Sequence, residues 1–298
     1  FSEDEGLSNE QIESVEISSD GVWVGTHDGA NRITISDGNF VVHGDPFDGE
    51  MAGATVLDIA VDDSSILFST DQGVYRFDGQ NLIQLELDGS LLNESVHCLL
   101  NDDESLWLGC SNGLYQITGS GSNWKTQEYY SQPNLNEGTV SSLLKDALGN
   151  VWIGFLKKGL MRWDGSEFMP VELPGNLSSV TAIAKGPNGF LWIGTDGGGL
   201  VRARLMEAIP DANDFEILNG LHSDISTNIH QLVFDADGDL WVGTPNGVQQ
   251  LELNNRAEIK EVHSFSTEQG FRGTETSIGA TVLDGNGNVW FGSIKGLT

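Results

Sequence analysis

The chain has 298 residues, of which 44 are acidic and 14 basic, giving a formal charge of −30, and 38 are glycine. That length accommodates two average domains or one large all-β domain with a sizeable core. A hydrophobic content of 38% with no long charged block argues for a folded protein. The acidity excludes nucleic acid as a partner, because phosphate binding needs a concentrated basic patch. The apolar runs are too short for direct membrane insertion of this domain, since a spanning helix takes roughly 20 apolar residues.

Glycine stands at nearly twice its usual ~7% share, and the surplus falls into a repeat. The first copy opens at Gln11-Ile12 and continues through Gly21-Val-Trp-Val-Gly-Thr26 to Gly29. The second has Thr55-Val56, the degenerate Ile66-Leu-Phe-Ser-Thr70 and Gly73; the third has Ser95-Val96, Ser105-Leu-Trp-Leu-Gly-Cys110 and Gly113. Then come Thr139-Val140 with Asn150-Val-Trp-Ile-Gly-Phe155 and Gly159, and Ser179-Val180 with Phe190-Leu-Trp-Ile-Gly-Thr195 and Gly199. The sixth copy has Asn228-Ile229, Asp239-Leu-Trp-Val-Gly-Thr244 and Gly247, and the seventh Ser277-Ile278, Asn288-Val-Trp-Phe-Gly-Ser293 and Gly296.

The β-branched residues that open the copies are spaced by 44, 40, 44, 40, 49 and 49 residues, a period that fits propeller blades of four short strands. Each copy reads as a first strand, an Asp/Gly turn such as Asp146-Ala-Leu-Gly149, the Trp strand, a Gly turn, a third strand and a looser fourth such as 39–42. No stretch sustains a 3.6-residue period. The expectation is a single all-β domain over residues 1–298, a seven-bladed β-propeller of four-stranded antiparallel blades. Its first strands begin near Ile12, Val56, Val96, Val140, Val180, Ile229 and Ile278. Phe1-Ser-Glu-Asp-Glu-Gly6 matches Phe265-Ser-Thr-Glu-Gln-Gly270, so the ring is expected to be closed by the N-terminal strand completing the last blade.

The pattern from Val140 to Gly154, followed by Gly159-Leu-Met-Arg162, resembles the two-component regulator propeller repeat, as do Gly6-Leu-Ser-Asn9 and Gly194-Thr-Asp-Gly-Gly-Gly-Leu200. The likeness runs through all seven copies and departs from the pattern at Phe68-Ser69 and at Gly186-Pro187. It implies an extracytoplasmic ligand-binding input domain of a hybrid histidine kinase, on the periplasmic or extracellular side of a membrane-anchored protein. It also implies an oligosaccharide or another small molecule derived from a polysaccharide as ligand, a homodimer in the full-length receptor, and a chain cut from a longer sensor. The alternatives are a protein-interaction propeller, or a propeller-fold polysaccharide lyase or other carbohydrate-active enzyme.

In such a fold the turns between second and third strands share one face with the links between blades, and seven of them converge on a central depression. The candidate ligand-binding residues there are His27, Asp28, Lys157, Lys158, Asp196, His222 and Arg272. The paired cations Lys157-Lys158 suit a uronate or sulfate group. His97 and His230 are read as structural, Tyr129-Tyr130 as packing on a fourth strand, and Arg32, Arg76, Arg162 and Arg202 as recurrent partners of nearby carboxylates. No catalytic residue is assigned, because no nucleophile elbow, HExxH or phosphate loop appears. No cofactor is expected. Asp235-Ala-Asp-Gly-Asp239 and Asp284-Gly-Asn-Gly-Asn288 faintly resemble calcium loops but lack the bidentate Glu, so no metal is assigned. Cys98 and Cys110 are expected to be buried free thiols.

Overall fold

The computed structural model describes residues 1–36, 39–62, 65–102, 105–120, 123–130, 138–206 and 208–298. These form two compact units, one of Phe1–Thr139 with Ala280–Val282 and Trp290–Thr298, the other of Val140–Gly279 with Leu283–Val289. The chain is built from seven successive antiparallel sheets, the blades of a seven-bladed β-propeller, and no α-helix occurs among the described residues.

Blade 1 has strands Ile12–Ser18, Gly21–Thr26, Gly29–Ser36 and Asn39–His43, and blade 2 has Val56–Asp62, Ser65–Thr70, Gly73–Phe77 and Leu82–Gln84. Blade 3 has Val96–Asp102, Ser105–Cys110, Gly113–Ser120 and Asn123–Tyr130, extended at its outer edge by Glu86–Leu87 and Ser90–Leu91 into a six-stranded sheet. In the other unit, blade 4 runs through Val140–Lys145, Val151–Phe155, Gly159–Trp163 and Phe168–Val171, and blade 5 through Val180–Lys185, Phe190–Thr195, Gly199–Arg204 and Phe215–Ile217. Blade 6 has Gln231–Phe234, Leu240–Thr244, Gly247–Leu253 and Ile259–Phe265; the seventh sheet has only Thr276–Leu283, Val289–Ser293 and Gly296–Leu297.

The repeat motif is explained by packing. Trp23, Trp107, Trp152 and Trp192 are among the largest fully buried side chains, and an aromatic of that size dominates the burial energy of its blade; in the degenerate copy the strand register puts Leu67, not Phe68, at the tryptophan place, with the fully buried Phe68 beside it. The glycine two residues after the tryptophan is demanded by the following blade. A Cβ on Gly25 would meet Val56, on Gly154 Val180, and on Gly194 Ile229, each at 2.7 Å or less. The opening β-branched residue of one blade therefore seats in the gap left by the Trp-x-Gly glycine of the blade before. Gly194→Ala, whose Cβ would lie 2.5 Å from Ile229 Cγ2, is expected to destabilise the protein by about 2 kcal/mol through overpacking, measured as a lowered urea midpoint at unchanged slope.

Two features of the seventh sheet differ from the expectation. Its first strand starts at Thr276, which is buried against Gly243, whereas Ile278 is 39% exposed. The N-terminal segment forms no strand. Phe1 exchanges two backbone hydrogen bonds with Leu297, and the chain then enters a 3-10 turn over Glu3–Glu5. Phe1 matches Phe265, the final residue of the blade 6 fourth strand, and Ser266 likewise leads into a turn over Thr267–Gln269. The segment thus supplies one residue of ladder; beyond it the Glu5 carboxylate accepts from the Ser2 amide at 2.9 Å and bends the chain away.

Candidate functional site

The turns that carry the predicted residues are held by the repeat itself. Thr26, Thr70, Thr195, Thr244 and Ser293, each ending a second strand, donate a hydroxyl to the carbonyl of the glycine that opens the third strand, at 2.8–3.0 Å. Blade 4 has Phe155 at that position, so the turn bearing Lys157 and Lys158 lacks this clasp.

In the unit of Phe1–Thr139, His27 and Asp28 occupy the blade 1 turn. His27 Nε2 lies 2.7 Å from Glu13 Oε1, and the Asp28 carboxylate accepts from the Gly53 amide at 2.6 Å, tying the turn to the link ahead of blade 2. In the other unit, turns and links alternate along one edge. The Gly159 amide, next to Lys158, donates to Ser178 O at 2.7 Å, and the Asp196 amide to Ser179 O at 3.1 Å. Gly197 in turn donates to Asn228 Oδ1 at 3.0 Å, and Gly199 to Thr227 O at 2.7 Å. The exposed Lys157, the half-buried Lys158 and the exposed Asp196 therefore sit on successive turns of this edge.

His222 lies on the link over 218–228 that completes the row. Sequence reasoning did not pick out the residues that give this link its shape. Asn219 accepts from the Leu200 amide and donates to Ile225 O and Ser226 O, at 2.7–2.8 Å. Gln249, itself buried, bonds the Ser226 amide at 2.9 Å and Asp224 O at 2.8 Å. Their roles depend on a neighbouring third strand, which no local motif shows. The pinned link presents Leu221, 65% exposed, next to the half-buried His222. Arg272 is exposed on the corresponding link ahead of the seventh sheet, after the turn over Thr267–Gln269. The structure thus brings Lys157, Lys158, Asp196 and His222 onto one edge of a unit, with Arg272 on a further link of that unit.

The remaining polar residues of the sequence reading serve the fold. The His230 ring donates to Thr276 O at 2.6 Å, and His97 Nε2 lies 2.8 Å from Ser111 Oγ, with burial pushing the His97 pKa below the ordinary imidazole value. Arg32 pairs with Asp20 at 2.8 Å and Arg202 with Glu216 at 2.7 Å, while the guanidinium groups of Arg32, Arg162 and Arg202 cover the tryptophans of their own blades at 5.3–5.9 Å. The Asp/Gly turns use their carboxylates internally: Asp235 accepts from the Asp237 and Asp239 amides and the Trp241 indole, and Asp284 from the Asn286 and Asn288 amides and the Asn288 side chain. Cys98 and Cys110 are free and buried, and burial raises both thiol pKa values. The side chains of Tyr129 and Tyr130 lie outside the described residues.

Residues 174–197 and 223–246 match the family model of the two component regulator propeller; these are the two repeats that meet along the edge described above. No curated protein matches the sequence significantly. Among solved structures, the chain is similar to the extracellular domain described as that of the hybrid two component system BT3049 from B. thetaiotaomicron, with 22% identity and a TM-score of 0.78 over 98% of this chain and 39% of that one. A second extracellular domain from the same organism, BT4673, gives 21% identity and a TM-score of 0.76 over 97% of this chain and 38% of that one. YCF48 bound to D1 peptide shares the architecture at 11% identity, with a TM-score of 0.69 over 98% of this chain and 93% of that one. The chain spans about two fifths of the length of the two extracellular domains. No helix among the described residues is long and apolar enough to cross a membrane. The chain is a seven-bladed propeller that carries the two component regulator propeller repeat and is similar in fold to the extracellular domains of two-component systems.

Proposed function

We propose that this propeller is the ligand-binding input domain of an extracytoplasmic two-component sensor, and that its ligand is an acidic oligosaccharide. The observation that carries this reading is the row of turns and links in the unit of Val140–Gly279, where the Lys157-Lys158 turn, the Asp196 turn and the pinned link bearing Leu221 and His222 follow one another on one edge. Two consecutive lysines in a chain of charge −30 offer a localised counter-charge for uronate or sulfate, and an ordered loop with an exposed apolar residue suits the face of a sugar ring. Binding would shift the population of arrangements of the tethered output, a histidine kinase in this reading, only through a difference in affinity between them.

Isothermal titration against panels of uronate-containing, sulfated and neutral oligosaccharides tests this. Saturable binding of an acidic member is expected, weakened at least tenfold, about 1.4 kcal/mol, in Lys157→Ala/Lys158→Ala. Failure of every member to bind would remove the reading, and turnover of an oligosaccharide would replace it with the lyase.

A further inference from the structure

A second site lies on the outer strands of blade 6, and it is independent of the sensor reading. Glu252 on Gly247–Leu253 stands directly opposite Glu261 on Ile259–Phe265, and His263, two residues along from Glu261 and opposite Gln250, points to the same face. His263 Nε2 is 3.2 Å from Glu252 Oε1 and 3.9 Å from Glu261 Oε2, and the three donor atoms all lie within 4.8 Å of one another. The register shifts between Glu252 and Leu253, a bulge of the kind that re-aims side chains at a strand edge.

The repeat does not demand this trio. At the place of Glu252, two residues past the third-strand partner of the blade tryptophan position, the other copies have Thr34, Asp78, Thr118, Asp164 and Arg204, and the place of His263 holds His43 in blade 1, so the two acids and the imidazole come together in blade 6 alone among these copies. Two carboxylates directly opposite one another on an antiparallel pair repel, in a chain that already carries −30. An arrangement that concentrates like charge and sets an imidazole nitrogen beside it is the donor set of a cation site.

We infer that Glu252, Glu261 and His263 bind a divalent first-row transition ion of the zinc class. Two carboxylate oxygens and one imidazole nitrogen suit such an ion better than calcium or magnesium, which prefer oxygen donors alone and more of them. Ligands about 2.0–2.2 Å from a tetrahedral zinc stand roughly 3.4 Å apart, close to the 3.2 and 3.9 Å separations here. Small side-chain adjustments close the site, leaving the fourth position to water. The ion ties the third strand of blade 6 to the fourth and neutralises the facing carboxylates.

Titration of chelator-treated protein with zinc chloride, followed by calorimetry and thermal denaturation, and with cobalt chloride, followed by visible absorption, tests the site. One zinc per chain is expected, raising the melting temperature and resisting competition by a large excess of calcium or magnesium. His263→Ala and Glu252→Gln should each weaken binding at least tenfold and abolish the cobalt band, while melting as the wild type does without metal. His27→Ala, which removes the other exposed histidine that is paired with a glutamate, should bind as the wild type. Equal binding by His263→Ala and wild type, loss in His27→Ala instead, or uptake without a defined stoichiometry would each overturn the inference. If His263→Ala melts differently without metal, His263→Gln takes its place in the same comparison.

Discussion

Asp58→Asn is expected to stabilise the protein above pH 7 and to flatten its stability between pH 4 and 7. Asp58 occupies the inner strand of blade 2 at the position where other copies carry Ser14, Cys98, Ser142, Ala182 or Ala280. Its carboxylate keeps a little accessible surface but is walled in by protein, and burial pushes its pKa up to about 7; the amides of Leu99 and Ile59 oppose the shift, at 2.7 and 2.9 Å, and the charge of Glu16 adds to it. Cys98 faces the same charge.

A carboxyl with a raised folded pKa binds its proton in the native state across a range where the unfolded chain has released it. Stability therefore falls as pH rises from about 4 to about 7, and the penalty is fully present above that. A shift of about three units corresponds to at most ~4 kcal/mol. Burial raises the pKa of Glu16 as well, with the same sign, so the variant keeps part of the slope. Asp20 and Asp146 behave oppositely. Hydrogen bonds from Ser18 and Arg32 in one case, and from Asn150 and Trp152 in the other, outweigh burial and lower their pKa values, so their contribution is lost only below the ordinary carboxylate range. Denaturant unfolding of wild type and variant from pH 4.5 to 8.5 separates these groups. Curves that stay parallel through the interval would refute the assignment to Asp58.

Trp152→Ala is expected to cost about 4 kcal/mol, in the range for truncating a fully buried aromatic. The ring is wholly inaccessible and packs with Leu160, Val171, Val180 and Leu191. Its indole N–H donates to Asp146 Oδ2 at 2.9 Å, and the Arg162 guanidinium stacks over it at 5.9 Å. Asp146 also accepts from the Leu148 and Asn150 amides and the Asn150 side chain, at 2.8–3.0 Å, so this tryptophan anchors the turn between the first two strands of blade 4. Trp152→Phe keeps most of the volume and loses the hydrogen bond to a buried carboxylate, which places it at roughly 1–3 kcal/mol. Urea midpoints that place the phenylalanine variant at or below the alanine variant would show that the hydrogen bond, and not the packing, holds the blade.

The candidate site was legible in outline. Lys157-Lys158 and Asp196 fall on second-to-third-strand turns, because a turn is marked by its own residues: the preceding Trp strand, the glycines and the polar residues between them. The conformation of the link around His222 was not legible, since Asn219 ties it to Leu200 on one third strand and Gln249 reaches it from another. Three of the recurrent arginines were readable as structural because each sits opposite the tryptophan of its own blade, Arg32 with Trp23, Arg162 with Trp152 and Arg202 with Trp192, whereas Arg76 sits opposite Leu67.

The sequence by itself determined the number of sheets, their strand order, the tryptophan of the second strand in six blades and the glycine two residues after it. Each follows from contacts within one repeat or between consecutive repeats, and such contacts recur with the period. Only the tertiary structure decided the environment of Asp58, the extra edge strands of blade 3, the single ladder residue at Phe1, the buried place of Thr276 and the meeting of Glu252, Glu261 and His263. These depend on which residue a strand faces, on a one-residue shift of register and on how much water a carboxylate keeps. None of them repeats along the chain, so no periodicity could announce them.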